Sequence, residues 1–78
     1  MLRQIKTAEQ MQAIVSERIH QIYEVRTDGG KVGVPIPIRH EPDDRGCNWE
    51  MRHFRYPRPY ADAIASVVAQ ARKEFNLP

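Results

Sequence analysis

The sequence predicts an α+β domain, a small antiparallel sheet of two to three strands with an N-terminal and a C-terminal helix packed on one face. Three observations predict it. Apolar residues recur at three- and four-residue steps towards both ends of the chain, they alternate at period two in the middle, and Gly, Pro and Asp punctuate the joins. The expected order is α-β-β-β-α. All 78 residues form one domain, since two halves would each be too small to bury a core.

The first helix begins at a capping box, Thr7 with Gln10, in which each side chain satisfies the other residue's backbone N–H. Ala8, Met11, Val15, Ile19 and Ile22 then form one apolar stripe, widened by Ile14, so the helix should run from Ala8 to Ile22. A hairpin is expected next. Glu24 to Thr27 alternates, Asp28-Gly29-Gly30-Lys31 supplies turn residues, and a second run places Val32, Val34, Ile36 and Ile38 on one face. Pro35 and Pro37 lie on the other face and put this strand at the rim of its sheet.

His40 to Gly46 is a polar loop containing Pro42. Cys47 to Phe54 alternates again as a third strand, with Cys47, Trp49 and Met51 facing the core and meeting Ile36 and Ile38. The exposed face of the sheet would then display Glu24, Arg26, Arg39, Glu50, Arg52 and Phe54. Arg55 to Pro59 is an extended bridge, because a residue before proline avoids helical angles. Pro59 suits the first turn of the last helix. Its stripe is Tyr60, Ile64, Val67, Val68, Ala71 and Phe75, with Arg72 and Lys73 complementing the C-terminal dipole and Asn76 ending it.

The apolar fraction of 41% and charged fraction of 28% are those of an ordinary globule rather than a disordered chain. No apolar run approaches the roughly 18 residues needed to cross a bilayer, and the first residues lack the apolar segment of a signal peptide. Cys47 is the only cysteine, which precludes an internal disulfide and fits a reducing cytoplasm. The net charge of +2 is unevenly spread. Residues 1–22 carry +1, residues 23–44 carry −2, residues 45–60 carry +3, and residues 61–78 are neutral.

Catalysis has little support. Cys47 and His53 would stand about 20 Å apart along an extended strand, too far for a thiolate–imidazole pair. The loop allows His40 to lie opposite Cys47, with Asp43 or Asp44 to orient it, and this is the remote enzymatic alternative. His40, Cys47 and His53 lack the close ligand pair that pre-forms a zinc site. Asp43 and Asp44 lack the evenly spaced oxygens of a calcium loop, and both read as turn formers. Asp28-Gly29-Gly30-Lys31 has neither the length nor the following helix of a phosphate-binding loop. No cofactor and no metal are expected.

Arg45 to Tyr60 remains, where basic and aromatic residues interleave. A nucleic-acid reading puts Arg45, Arg52, Arg55 and Arg58 on phosphates, with Phe54, Tyr56 or Trp49 stacking a base. No recognisable nucleic-acid-binding signature accompanies them. The leading expectation is instead a non-enzymatic protein-interaction module, binding a protein partner or a second copy through Arg52, Phe54, Arg55, Tyr56 and Arg58. No membrane partner is expected.

His40-Glu41-Pro42-Asp43, then Gly46-Cys47-Asn48-Trp49, and the closing Ala71-Arg72-Lys73-Glu74-Phe75-Asn76-Leu77 together resemble short uncharacterised proteins of proteobacteria. The resemblance covers most of the chain. It implies a bacterial cytoplasmic protein, carries no assigned activity and transfers no functional residue.

Overall fold

The capping box at the start of the chain forms as its sequence dictates. In a computed structural model, which describes residues 3–55 and 58–78, the Gln10 N–H donates to Thr7 Oγ1 at 3.1 Å and the Thr7 N–H donates to Gln10 Oε1 at 3.0 Å. Helix α1, Ala8–His20, follows and buries Met11, Val15 and Ile19, the predicted stripe. The α+β class stands. The chain runs β1 (Gln4–Ile5), α1, α2 (Tyr23–Asp28), β2 (Ile38–Arg39), β3 (Trp49–Glu50), a 3₁₀ turn (Arg58–Tyr60), α3 (Ala61–Glu74) and β4 (Phe75–Asn76).

The first hairpin strand is corrected to a helix. Residues 24–27 lie in α2, whose only buried side chain is Val25. Gly29, at φ 63°, is not a hairpin turn residue but the left-handed stop of that helix, with its N–H on the Arg26 carbonyl and the Gly30 N–H on the Val25 carbonyl. Both structures need a glycine at positive φ, and one apolar residue in four cannot separate a period of two from 3.6. Gly30 has a second reason to be glycine, since a Cβ there would lie 2.9 Å from the Tyr60 hydroxyl. That hydroxyl donates to Asp28 at 2.8 Å, which raises the Tyr60 pKa.

With no strand at 24–27, residues 32–34 bond to side chains of α1. The Val32 N–H donates to His20 Nε2 at 3.1 Å, and the Val34 carbonyl accepts from Gln12 Nε2 at 2.8 Å. An accepting Nε2 leaves the His20 proton on Nδ1, which lies 2.7 Å from the Ser16 carbonyl. The true antiparallel partner of this segment is the third strand. Ile38 sits opposite Glu50, Arg39 opposite Trp49, and Gly33 opposite Arg55.

Those pairings hide a slip. The N–H of Gly33 and the N–H of His40 both point at the third strand, on Arg55 and Asn48. Their odd spacing in sequence is incompatible with uninterrupted alternation, so each strand changes phase once between the two ends. Pro35 and Pro37, which have no N–H to give, lie within the slip on one strand. His53, at φ 67°, lies within it on the other. Burial reverses accordingly. Val32 is buried while Ile36 and Ile38 are each 46% exposed and Pro37 is buried, so the expected core role of those isoleucines is corrected. Cys47, Trp49 and Met51 are buried as predicted, and beyond His53 it is Phe54 that turns towards the core.

The last helix carries its stripe as expected, burying Ile64 and Ala71, with Tyr60 buried just before it. Phe75–Asn76 then leaves the helix as β4 and pairs in parallel with β1, Gln4 opposite Phe75. The result is two separate two-stranded sheets, β1–β4 and β2–β3. Asparagine side chains join them. Asn48 Nδ2 donates to the Leu77 carbonyl and its Oδ1 accepts the Leu77 N–H, both at 2.9 Å, while Asn76 Nδ2 donates to the Gly46 carbonyl at 2.9 Å. The Trp49 indole N–H completes the seam on the Phe75 carbonyl at 2.9 Å. Across the far side, Arg18 of α1 grips Glu74 of α3 through both terminal nitrogens, at 2.6 and 3.2 Å.

The slip predicts a specific mutational pattern. A β-branched residue tolerates positive φ worst, so His53→Val should lower stability by about 1–2 kcal/mol. Glycine removes that strain and pays backbone entropy instead, so His53→Gly should stay within about 1 kcal/mol of the parent. Urea unfolding of the two variants reads the difference, and equal stability would place residue 53 in extended backbone.

Candidate functional site

The exit of the third strand builds a groove. Met51 ends the buried alternation, the turn at His53 swings Phe54 inward, and Arg55 locks the exit by exchanging both backbone hydrogen bonds with Gly33, at 2.8 and 3.1 Å. The 3₁₀ turn at Arg58–Tyr60 then starts α3, where Ala61, Ile64, Ala65 and Val68 fall on one face at helical spacing. Together with Met51 and Phe54 they line an apolar groove of about 270 Å³. Two alanines keep it open, because larger side chains there would fill it.

The predicted surface residues divide around this groove. Phe54 is half-buried in its wall. Arg52 is exposed and clasped by its neighbour, with Nε and Nη2 on the two Glu50 oxygens at 3.0 Å each. Arg55, next to Phe54, and Arg58, at the entry to α3, are exposed. Among the described residues no carboxylate pairs with either. Tyr56 lies outside the described residues. Trp49 is fully buried with its indole N–H spent on Phe75, so it offers no face to a base.

The cysteine and histidine of the enzymatic alternative are both engaged with backbone. The Cys47 thiol is 1% exposed and donates to the Trp49 carbonyl at 3.3 Å. His40 Nδ1 lies 2.6 Å from the Glu41 carbonyl, and its backbone N–H bonds Asn48. Among the described residues no group of three or more His, Cys, Asp or Glu converges on a metal position, and no helix is long and apolar enough to cross a membrane.

Asp43, expected to be a solvated turn former, organises the loop. Its Oδ1 accepts the Arg45 N–H at 2.9 Å and the Cys47 N–H at 3.0 Å. Its Oδ2 also receives Arg72 Nη2 from α3 at 3.1 Å. These contacts draw Arg45, Arg72, Lys73 and Arg3 around a second, smaller pocket walled by Cys47 and Ala69. Nothing in the sequence marked that cluster, whose members come from the N-terminus, the 40s loop and the last helix. Hydrogen bonds from the Cys47 and Arg45 amides hold the Asp43 carboxyl below its usual range, with Arg72 adding to the effect.

Comparison with protein-family models, with curated proteins and with solved structures returned no match.

The lowered Asp43 pKa fixes the sign of a pH dependence. Its folded value lies below the unfolded carboxylate value of about 3.9, so its stabilisation is complete above that pH and is lost as pH falls through the folded value. Asp43→Asn, a neutral isostere, should therefore unfold at lower urea than the parent near neutrality. The gap should narrow as pH falls from the unfolded carboxylate value through the folded one. A gap that stays constant as pH falls contradicts the assignment.

Proposed function

We propose that the protein is a non-enzymatic interaction module whose partner is a second copy of the same chain. The reading rests on complementarity between two of its surfaces. The groove at Phe54, Ile64 and Val68 is apolar; its Met51 and Phe54 wall belongs to residues 45–60, which carry +3 and place Arg55 and Arg58 beside it in the chain, while its α3 wall belongs to the neutral residues 61–78. Residues 23–44 carry −2, and within them Ile36 and Ile38 stand 46% exposed just before the acidic residues Glu41 and Asp44. One surface offers apolar side chains followed by carboxylates, and the other offers an apolar recess with arginines that lack carboxylate partners among the described residues.

Burial of the isoleucines gives the drive, at about 25 cal/mol per Å² of apolar surface covered. The charges give register and partner choice more than affinity. A chain this short gains particularly from association, because little core is available to it alone. Phosphate contacts by the same arginines are the alternative, though the burial of Trp49 removes one of the three stacking candidates.

Sedimentation equilibrium at low and high salt tests the reading. The parent should dimerise reversibly, and more weakly at 1 M salt, where the screening length falls to about 3 Å. Two variants should be monomeric with unchanged circular dichroism, Ile36→Ser with Ile38→Ser, and Arg52, Arg55 and Arg58 all changed to Ala. Exposed charges contribute only about 0–1 kcal/mol each to stability, so folding survives their removal. A parent that is monomeric throughout, or a dimer indifferent to both variants, overturns the proposal. A monomer that instead binds single-stranded nucleic acid with steep salt dependence assigns the arginines to phosphate.

A further inference from the structure

We propose that the pocket between the N-terminus, the 40s loop and the end of α3 binds a phosphate monoester dianion. Four cationic side chains, Arg3, Arg45, Arg72 and Lys73, surround a volume of about 130 Å³. Asp43 is the one carboxylate among the lining residues, which leaves the pocket with a formal excess of three positive charges. That carboxylate is committed, since its oxygens already accept the Arg45 and Cys47 amides and Arg72 Nη2.

Two of the guanidiniums are held in place before any ligand arrives. Arg3 Nε donates to the Arg72 carbonyl at 2.9 Å, and Arg72 Nε donates to the Trp49 carbonyl at 3.1 Å. Those bonds use one edge of each fork. Both terminal nitrogens of Arg3 and Nη1 of Arg72 make no hydrogen bond among the described residues. Anchoring Arg3 on a neutral carbonyl orients it without cancelling its charge, and Arg72, which is also paired with Asp43, is ordered too, so an anion meets donors whose ordering is already complete. Arg45 and Lys73 are exposed, have no ion-pair partner among the described residues and can fold over a ligand.

The lining cations come from three separate chain segments, which suits a tetrahedral oxyanion better than a planar carboxylate, and a volume of about 130 Å³, that of about four waters, is enough for one phosphoryl group. Three excess charges favour a dianion over the single charge of a phosphodiester. Close approach of Gly46 is part of the construction, because a Cβ there would lie 3.1 Å from Arg3 Nη1.

The test is a titration of the ¹⁵N-labelled protein with inorganic phosphate at constant ionic strength, followed by amide shifts. Saturable shifts should be confined to Arg3, residues 43–47 and residues 69–73, and affinity should rise between pH 5.5 and 7.5 as the dianion forms, its second pKa being about 6. Arg45→Gln and Lys73→Gln each remove an exposed cation whose side chain makes no hydrogen bond among the described residues. Each should weaken binding about ten-fold with the rest of the spectrum unchanged. Chloride producing the same shifts overturns the proposal, as does parent-like phosphate affinity in both variants. Displacement of phosphate by an equal concentration of phosphodiester groups, supplied as an oligonucleotide with hydroxyl ends, overturns the choice of a monoester.

Discussion

The carboxamide of Asn48 is the constraint on which the rest of this structure depends. It presents one acceptor and one donor to the N–H and carbonyl of Leu77, reproducing with a side chain the exchange that a neighbouring strand would make. Asn76 answers from the other side, accepting the Asn48 N–H and donating to Gly46. Neither two-stranded sheet would be stable alone, because a pair of strands in water is marginal without further burial. Joined through these amides and capped by the Trp49 indole on Phe75, they behave as one unit against which α1 and α3 pack. The net gain per hydrogen bond is only about 1 kcal/mol, but an unpaired buried donor or acceptor costs about 1–3 kcal/mol. The seam therefore acts chiefly by making every misalignment expensive.

Both surfaces of functional interest inherit their geometry from that seam. The Trp49 carbonyl, fixed because its own indole is tied to Phe75, receives the Cys47 thiol and Arg72 Nε. Arg72 in turn holds Arg3 through its carbonyl and Asp43 through its guanidinium, so the cationic pocket is a chain of contacts starting at the core tryptophan. In the other direction, Met51 ends the buried alternation and the left-handed His53 turns Phe54 into the groove wall. A rigid core thus presents a recess on one side and oriented cations on another. In that scheme the Cys47 side chain is buried, with its thiol donating to the Trp49 carbonyl.

What the sequence revealed and what it concealed follow from how many residues carried each signal. Five apolar positions at helical spacing and a reciprocal cap made α1 legible, and Cys47, Trp49 and Met51 sufficed to place the tryptophan inside. Residues 24–27 contained one apolar position, and Asp-Gly-Gly serves a helix stop as well as a hairpin, so local chemistry could not decide between them. The phase slip was harder still. Pro35 and Pro37 read as marks of a rim strand rather than of a slip, the partner position His53 carries no compositional mark, and only the pair explains why Ile36 and Ile38 face outwards. Phe75 continues the spacing of the α3 stripe and so reads as helix, and two apolar positions, Phe75 and Leu77, are too few to mark β4 as a strand. Asn48 and Asn76 looked like ordinary polar residues, since a side chain that imitates backbone has no local signature. Of the candidate site, Arg52, Phe54, Arg55 and Arg58 were visible as a run, while the pocket at Arg3, Asp43, Arg45 and Arg72 exists only through tertiary contact.

The direct test of this account is the urea unfolding of Asn48→Ala, followed by far-ultraviolet circular dichroism and Trp49 fluorescence together. Truncation strands the buried N–H and carbonyl of Leu77, so the account predicts a loss of about 2–4 kcal/mol with both signals moving in one transition. A loss below about 0.5 kcal/mol, or fluorescence that shifts while the helices stay intact, would show that the two sheets do not depend on the asparagine seam.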